Sequence, residues 1–188
     1  MSKTYLPPQL ILPVGDRDHS MGTPEANVVL VEYGDYQCPF CGAAYPVVKR
    51  VQKELGSQLR FIFRNFPITN AHPFAEWAAE TAEAAAAQGK FWAMHDFLYE
   101  NQRLLGNESP FVKEEASLGL DVARVGREVA RRAYSSRIEE DFMSGVRSGV
   151  NGTPTFFING TRYDGPAEYE ELLSSLRRAA KGSGSPKK

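Results

Sequence analysis

Sulfur is scarce in this 188-residue chain, which holds four methionines and only two cysteines, Cys38 and Cys41. Two cysteines cannot build the multi-bridge framework that staples small secreted domains together. Histidine is equally scarce, at His19, His72 and His95, with no paired spacing. A structural zinc site takes four protein ligands, so this ligand arithmetic argues against a metal. Neither sign of charge dominates: 22 Lys+Arg face 23 Asp+Glu, a net charge of −1. That balance removes the electrostatic case for binding nucleic acid or an anionic membrane. No apolar run approaches the roughly 20 residues that span a bilayer. The opening MSKTYLPPQLILPVG has a short apolar patch broken by prolines and makes a poor signal peptide. The sequence as written therefore reads as cytoplasmic, or as periplasmic or exported if a signal was removed.

Against these absences stands ample material for a core, with 42% hydrophobic and 11% aromatic residues. The length fits one domain, or one domain with a sizeable insertion. The stretch VVLVEYGDYQCPFC, residues 28–41, organises the rest. In residues 28–34, Val29, Val31 and Tyr33 point to one side of a strand and Val28, Leu30 and Glu32 to the other. Apolar residues on both sides predict a strand covered on both faces. Residues 43–55 then place Tyr45, Val48, Val51 and Leu55 at helical spacing, so a helix starts near Cys38.

Cysteines three apart at a helix start are neighbours, with Cβ atoms roughly 5–6 Å apart. A slightly tightened first turn brings them to the about 3.5–4.5 Å that a disulfide needs. Pro39 suits the first helical position, where its missing N–H costs nothing. Cys38 then meets the free N–H groups and dipole of the helix N-terminus, which favour an anionic sulfur. Cys41 lies one turn inside and should be more buried. The asymmetry predicts that Cys38 attacks and Cys41 resolves.

Residues 9–13 suggest a short strand, and residues 15–22 read as a loop in which His19 is solvated. Residues 59–66, LRFIFRNF, alternate as a strand whose mixed second face (Arg60, Ile62, Arg64) places it nearer the sheet edge than residues 28–34. Residues 70–149 carry helical patterns: an alanine-rich helix over 75–87, and a second with Phe91, Met94, His95, Leu98 and Tyr99 along one stripe. Ser109-Pro110 marks the start of a third. Asp121 caps a fourth carrying Val122, Val125 and Val129, and residues 138–146 form a fifth. His95 on its stripe reads as a hydrogen-bonded core residue. Residues 155–158, Asn159-Gly160 and residues 161–163 form a hairpin. Residues 166–180 form a last amphipathic helix with Tyr169, Leu172, Leu173 and Leu176 inward, followed by the tail GSGSPKK, which reads as disordered.

A β-α-β unit bearing Cys-x-x-C, a helical insertion, then Gly152-Thr153-Pro154-Thr155 leading into a hairpin and a final helix resembles the DsbA-like thiol:disulfide oxidoreductases. The EYGDYQ lead-in and Cys38-Pro39-Phe40-Cys41 belong to the same likeness. It implies an α/β, thioredoxin-like fold with an inserted helical subdomain. Residues 23–69 and 150–180 would form the thioredoxin-like domain, 70–149 the insertion, 1–22 an extension and 181–188 a tail. Pro154 matches the family's cis-proline opposite the cysteines; read from the residues alone it is an ordinary turn proline. Thr153 matches the position whose backbone pairs with an extended substrate, so Pro39, Phe40, Thr153 and Pro154 are the expected substrate-binding residues. Glu32 matches a buried acid beneath the cysteine pair, the alternative being a solvated strand carboxylate. Strongly oxidising members carry histidine where this chain has Phe40, which implies a less stabilised Cys38 thiolate and a weaker oxidant. The implied function is disulfide exchange with protein or peptide thiols, with neither metal nor organic cofactor and an unspecified redox partner. A reductase, an isomerase, or a peptide-binding or chaperone-like module of the same fold remains open.

Overall fold

The computed structural model describes residues 7–106 and 108–182, the side chains of residues 108–110 excepted. The third helix of the insertion starts at Glu108, one residue before the expected Ser109-Pro110 signal, and the tail beyond residue 182 lies outside the described residues. Among the described residues five strands form one sheet in the order β1-β3-β2-β4-β5. They are β1 (His19–Met21), β2 (Val28–Gly34), β3 (Leu59–Asn65), β4 (Thr155–Ile158) and β5 (Thr161–Tyr163). β2 occupies the centre, parallel to β3 and antiparallel to β4. β4 returns into β5 through Asn159 and Gly160, both at positive φ (48° and 82°), as a two-residue hairpin of the favoured hand requires.

Helix α1 (Pro39–Leu55) leaves the end of β2 and leads back to β3. Between β3 and β4 the chain runs through α2 (Ala75–Ala86), α3 (Phe91–Glu100), α4 (Glu108–Ser117), α5 (Val122–Ala130) and α6 (Ser135–Arg147); α7 (Tyr169–Gly182) closes it. The two faces of β2 are covered as its composition predicts. Val28 and Leu30 pack with Val48, Val51 and Leu55 of α1, Leu98 of α3 and Leu172 and Leu176 of α7. Val31 and Tyr33 pack with Ile62, Phe157, Val150 and Phe66, flanked by Leu10, Val14 and Phe142. The α3 stripe is buried at all five expected positions. Asp121 caps α5 by accepting from the Arg124 backbone N–H at 2.9 Å.

Several expectations are corrected. Residues 9–13 form no strand; Gln9 makes a single bridge to Thr161. Residues 19–21, read as loop, pair with β3 instead, because edge pairing supplies what the short polar segment does not signal. His19 is not simply solvated. Its Nε2 lies 2.9 and 3.0 Å from the Glu83 carboxylate oxygens, and its ring stacks on Phe91 at 3.5 Å between centroids. β3 does lie nearer the edge than β2, but of its polar face only Arg60 is part-exposed. Arg64 is fully buried and donates to Asp18, Tyr33 and the Leu12 and Pro13 carbonyls. The last helix starts at Tyr169 rather than 166, since the Pro166 carbonyl accepts from the Tyr163 hydroxyl at 2.9 Å and holds a turn there.

Candidate active site

Cys38 caps the N-terminus of α1 in extended conformation, φ −68° and ψ 122°, with Pro39 opening the helix. Its own N–H donates to the Asp35 carbonyl at 3.1 Å, and its carbonyl accepts from Gly42 at 3.0 Å. Both cysteines are free thiols. Cys41 is fully buried one turn in, as expected. Cys38 is also mostly covered, at 3% exposure, whereas Phe40 is 73% exposed.

The two sulfurs are electrostatically unlike. Cys38 is pushed down to about 5, first by hydrogen bonding from the Cys41 thiol, with burial opposing and Thr153 and the backbone N–H groups of Cys41 and Phe40 adding to the effect. Burial, the Cys38 sulfur and the Glu32 charge push Cys41 well up. As a thiol, Cys38 donates to the Thr153 carbonyl at 3.3 Å. A thiolate cannot donate, so ionisation exchanges that bond for donors. The Thr153 hydroxyl, whose Oγ1 is buried without another partner, is one of them. The acidity of Cys38 thus comes from the turn and from Thr153 and needs no cation at position 40.

The Thr153–Pro154 peptide bond is cis. Thr153 and Pro154 join Phe40, Val47, Tyr163 and Tyr169 around an open groove of about 780 Å³ beside Cys38. Glu32 lies on β2 between Phe63 of β3 and Phe156 of β4, on the face that Leu30 shares with Cys41. It is 2% exposed and its Oε1 has no partner. Burial, followed by the Cys38 charge, pushes its carboxyl up to about 8. The solvated alternative is therefore discarded. Among the described residues no cluster of three or more His, Cys, Asp or Glu could hold a metal ion.

Sequence reasoning missed the residues that hold the lead-in to α1. The buried Asp35 accepts from the Gln37 N–H at 2.8 Å and the Ile68 N–H at 2.9 Å, and lies 2.8 Å from His72 Nδ1. An aspartate two residues before a backbone donor at a turn is a readable signal. Gln102 donates to the carbonyls of Tyr36 (2.7 Å) and Cys38 (3.0 Å). No local pattern announces it, because its partners lie more than sixty positions away. Behind the cysteines Tyr36 bonds His95 Nδ1 at 3.1 Å and packs with Phe63 and Tyr99, so His95 is the hydrogen-bonded core residue expected.

A thioredoxin family model matches residues 15–178. The chain belongs to the thioredoxin family. Among solved structures it is similar to a thioredoxin-like oxidoreductase from Silicibacter pomeroyi DSS-3, 28% identical with a TM-score of 0.76, covering 89% of this chain and 94% of that one. BdbD from Bacillus subtilis (22%, TM-score 0.81, covering 94% and 98%) and alpha-DsbA1 from Wolbachia pipientis (18%, TM-score 0.78, covering 93% and 96%) share the fold. The DsbA-like resemblance read from the cysteine turn and the Gly-Thr-Pro segment thus holds for the fold. Curated sequence relatives bear a different name. The Na(+)/H(+) antiporter NhaA 3 of Salinispora tropica is 43% identical over 171 residues, which is 90% of this chain and 26% of that protein. NhaA 1 of Salinispora arenicola is 42% identical over 93% of this chain and 26% of its own length. The chain spans about a quarter of the length of these relatives.

Proposed function

We propose that this thioredoxin-family chain exchanges disulfides with protein or peptide substrates through Cys38 and Cys41. The observation that carries the reading is the opposite poise of two thiols one helical turn apart, the outer held down to about 5 and the inner pushed well up. A nucleophile that is ionised at neutral pH stands beside a resolving thiol that stays protonated until called on. Cys38 thiolate attacks a substrate disulfide, its sulfur bonding one substrate sulfur while the other departs as thiolate. Cys41, giving its proton to Glu32, then attacks Cys38, releasing the second substrate thiolate and leaving a Cys38–Cys41 disulfide. The reverse sequence oxidises a substrate dithiol. The groove beside Pro154 receives the extended substrate, with Thr153 offering backbone hydrogen bonds as an added strand.

Among the described residues no helix is long and apolar enough to cross a membrane. Cys41→Ser tests the assignment. It should still attack through Cys38 and accumulate mixed disulfides with client proteins, whereas Cys38→Ser should form none. If Cys38→Ser traps clients and Cys41→Ser does not, the roles are reversed. If neither traps and the wild type fails to reduce insulin or oxidise a reduced test protein, the chain is a binding module.

A further inference from the structure

The helical insertion has a cleft of its own, about 400 Å³ in volume, between α2, α4 and α5. It shares no residue with the groove beside Cys38, and its size falls among small-molecule sites, roughly 300–1,000 Å³. Trp77 of α2 and Phe111 of α4 meet edge to face at 4.9 Å between centroids, and Val125 and Val129 line the α5 side. Into these apolar walls α4 places a carboxylate. Glu115, one turn after Phe111, is 5% exposed, and among the described residues no hydrogen bond or ion pair reaches its side chain. Burial alone pushes its carboxyl up to about 7, with no cation to offset the desolvation. On the α2 wall the Thr81 hydroxyl donates to the Trp77 carbonyl at 2.9 Å, which leaves its oxygen able to accept. A glycine gives a second sign. Gly126 lies within α5 on the cleft wall, at an ordinary φ, and a Cβ there would meet nothing within 4 Å. Glycine inside a helix costs stability relative to alanine. Neither packing nor backbone conformation requires it here, so its contribution is room in the cleft.

We propose that this cleft binds a small organic ammonium ion bearing an apolar or aromatic group, with Glu115 as its counter-ion. The ligand's charge supplies the partner that Glu115 lacks. Its N–H groups donate to the carboxylate and to the Thr81 oxygen, and the ring faces of Trp77 and Phe111 attract the same cation. An anion is repelled by the carboxylate, and a neutral ligand leaves that carboxylate buried and unpaired. A free ligand suits the cleft better than the lysine of a docked protein, whose unbranched stem would leave the aromatic walls largely uncovered. Only the ionised form of Glu115 pairs with the cation, so binding expels a proton and tightens as pH rises through about 7. Among the described residues no other titratable side chain lines the cleft. The α5 wall is valine, glycine and alanine. The buried acids of α2, Glu80 and Glu83, lie outside it, bonded to the Tyr134 N–H and to His19 and Asn65.

The probe is phenethylammonium, added to the whole chain and followed by calorimetry and by the indole N–H resonances. It should shift the Trp77 signal while leaving that of Trp92 in place. It should bind about tenfold more tightly at pH 8 than at pH 6, the ratio of ionised Glu115 at the two values. The amine stays charged over that range, as lysine does with a pKa of about 10.4. Phenylethanol and phenylacetate, of similar size but neutral and anionic, should bind about tenfold more weakly or worse. Glu115→Gln should weaken the ammonium about tenfold at pH 8 and abolish the pH dependence. Gly126→Leu should fill the cleft and abolish binding. Both variants should keep the wild-type circular dichroism spectrum and disulfide-exchange rate, so a lost fold is told apart from a lost site. Equal affinity for the ammonium and the alcohol, or no pH dependence in the wild type, overturns the proposal. So does a Trp77 signal that phenethylammonium leaves unmoved, or a lysine peptide that binds where the free amine does not.

Discussion

At the residue scale the site depends on two ionisable groups shifted in opposite senses by one environment. Cys38 is lowered because donors converge on its anion, and Glu32 is raised because nothing does. The Glu32 shift makes a stability prediction with a definite sign. Below pH about 4.5, the carboxyl's ordinary value, it is protonated both folded and unfolded and costs nothing. As pH rises the unfolded chain releases a proton that the folded protein keeps, so stability falls. The loss levels off above about 8, where both states are ionised. Glu32→Gln removes this dependence. Its denaturation midpoint should fall less steeply with pH than that of the wild type, with a relative gain on the order of 1–3 kcal/mol by pH 7. Burial of the amide shifts the whole curve equally, so the slope is the quantity to read. Parallel curves for the two proteins would show that Glu32 carries no raised pKa.

At the element scale the question is what holds the first turn of α1 in place, because thiol acidity depends on where the N–H groups point. Gln102, in a short 3-10 turn after α3, donates to the Tyr36 and Cys38 carbonyls on either side of the bend. Gly42 lies so close that a Cβ there would collide with Gln102 Oε1. Gln102→Leu should strand the Tyr36 carbonyl, leave the Cys38 carbonyl with only the Gly42 N–H, and cost about 1–3 kcal/mol. It should also move the pH midpoint of Cys38 alkylation, since the helix start loses its clamp. Wild-type stability together with an unmoved midpoint would make Gln102 a bystander. The same residue shows where sequence reading stops. β2, the start of α1, the α3 stripe and the Asn159-Gly160 hairpin were legible because each is written in a local period or turn dipeptide. So was Glu32, since alternation along β2 puts it on the Leu30 face. β1, Gln102 and the Asp35 bonds to Ile68 and His72 were not. Their partners are brought near only by the fold, and a polar residue with a distant partner looks like one in water.

At the scale of the whole molecule the segment before β1 behaves as a strap across the sheet face opposite α1, and its fastening is a charge pair. Arg64 of β3 and Asp18 bond twice, at 2.8 and 3.0 Å, and both side chains are at 0% exposure. Arg64 also donates to the strap carbonyls of Leu12 and Pro13 and to the Tyr33 hydroxyl, so one guanidinium holds the loop, the neighbouring strand and the buried acid. Burial pushes the Asp18 carboxyl up, but the Arg64 bonds, the Gly15 N–H and the Arg64 and Arg137 charges outweigh it and leave it below its ordinary value. A depressed acid contributes stability above its unfolded pKa, and that contribution is lost as pH falls toward the folded value. Arg64→Met keeps the apolar length of the side chain but leaves Asp18 buried without its cation. It should cost about 3–5 kcal/mol, the range for breaking one side of a buried pair. The companion variant Asp18→Asn should lose the acid-side stability drop while keeping some of the Arg64 bonds. Combining the two should cost less than their sum, because the second change removes the group the first one stranded. Midpoints for the two singles and the double at pH 7 and below pH 3.8, the acid's ordinary value, check this. Strict additivity with no pH dependence would mean that the strap is held by the apolar contacts of Leu10 and Val14 alone.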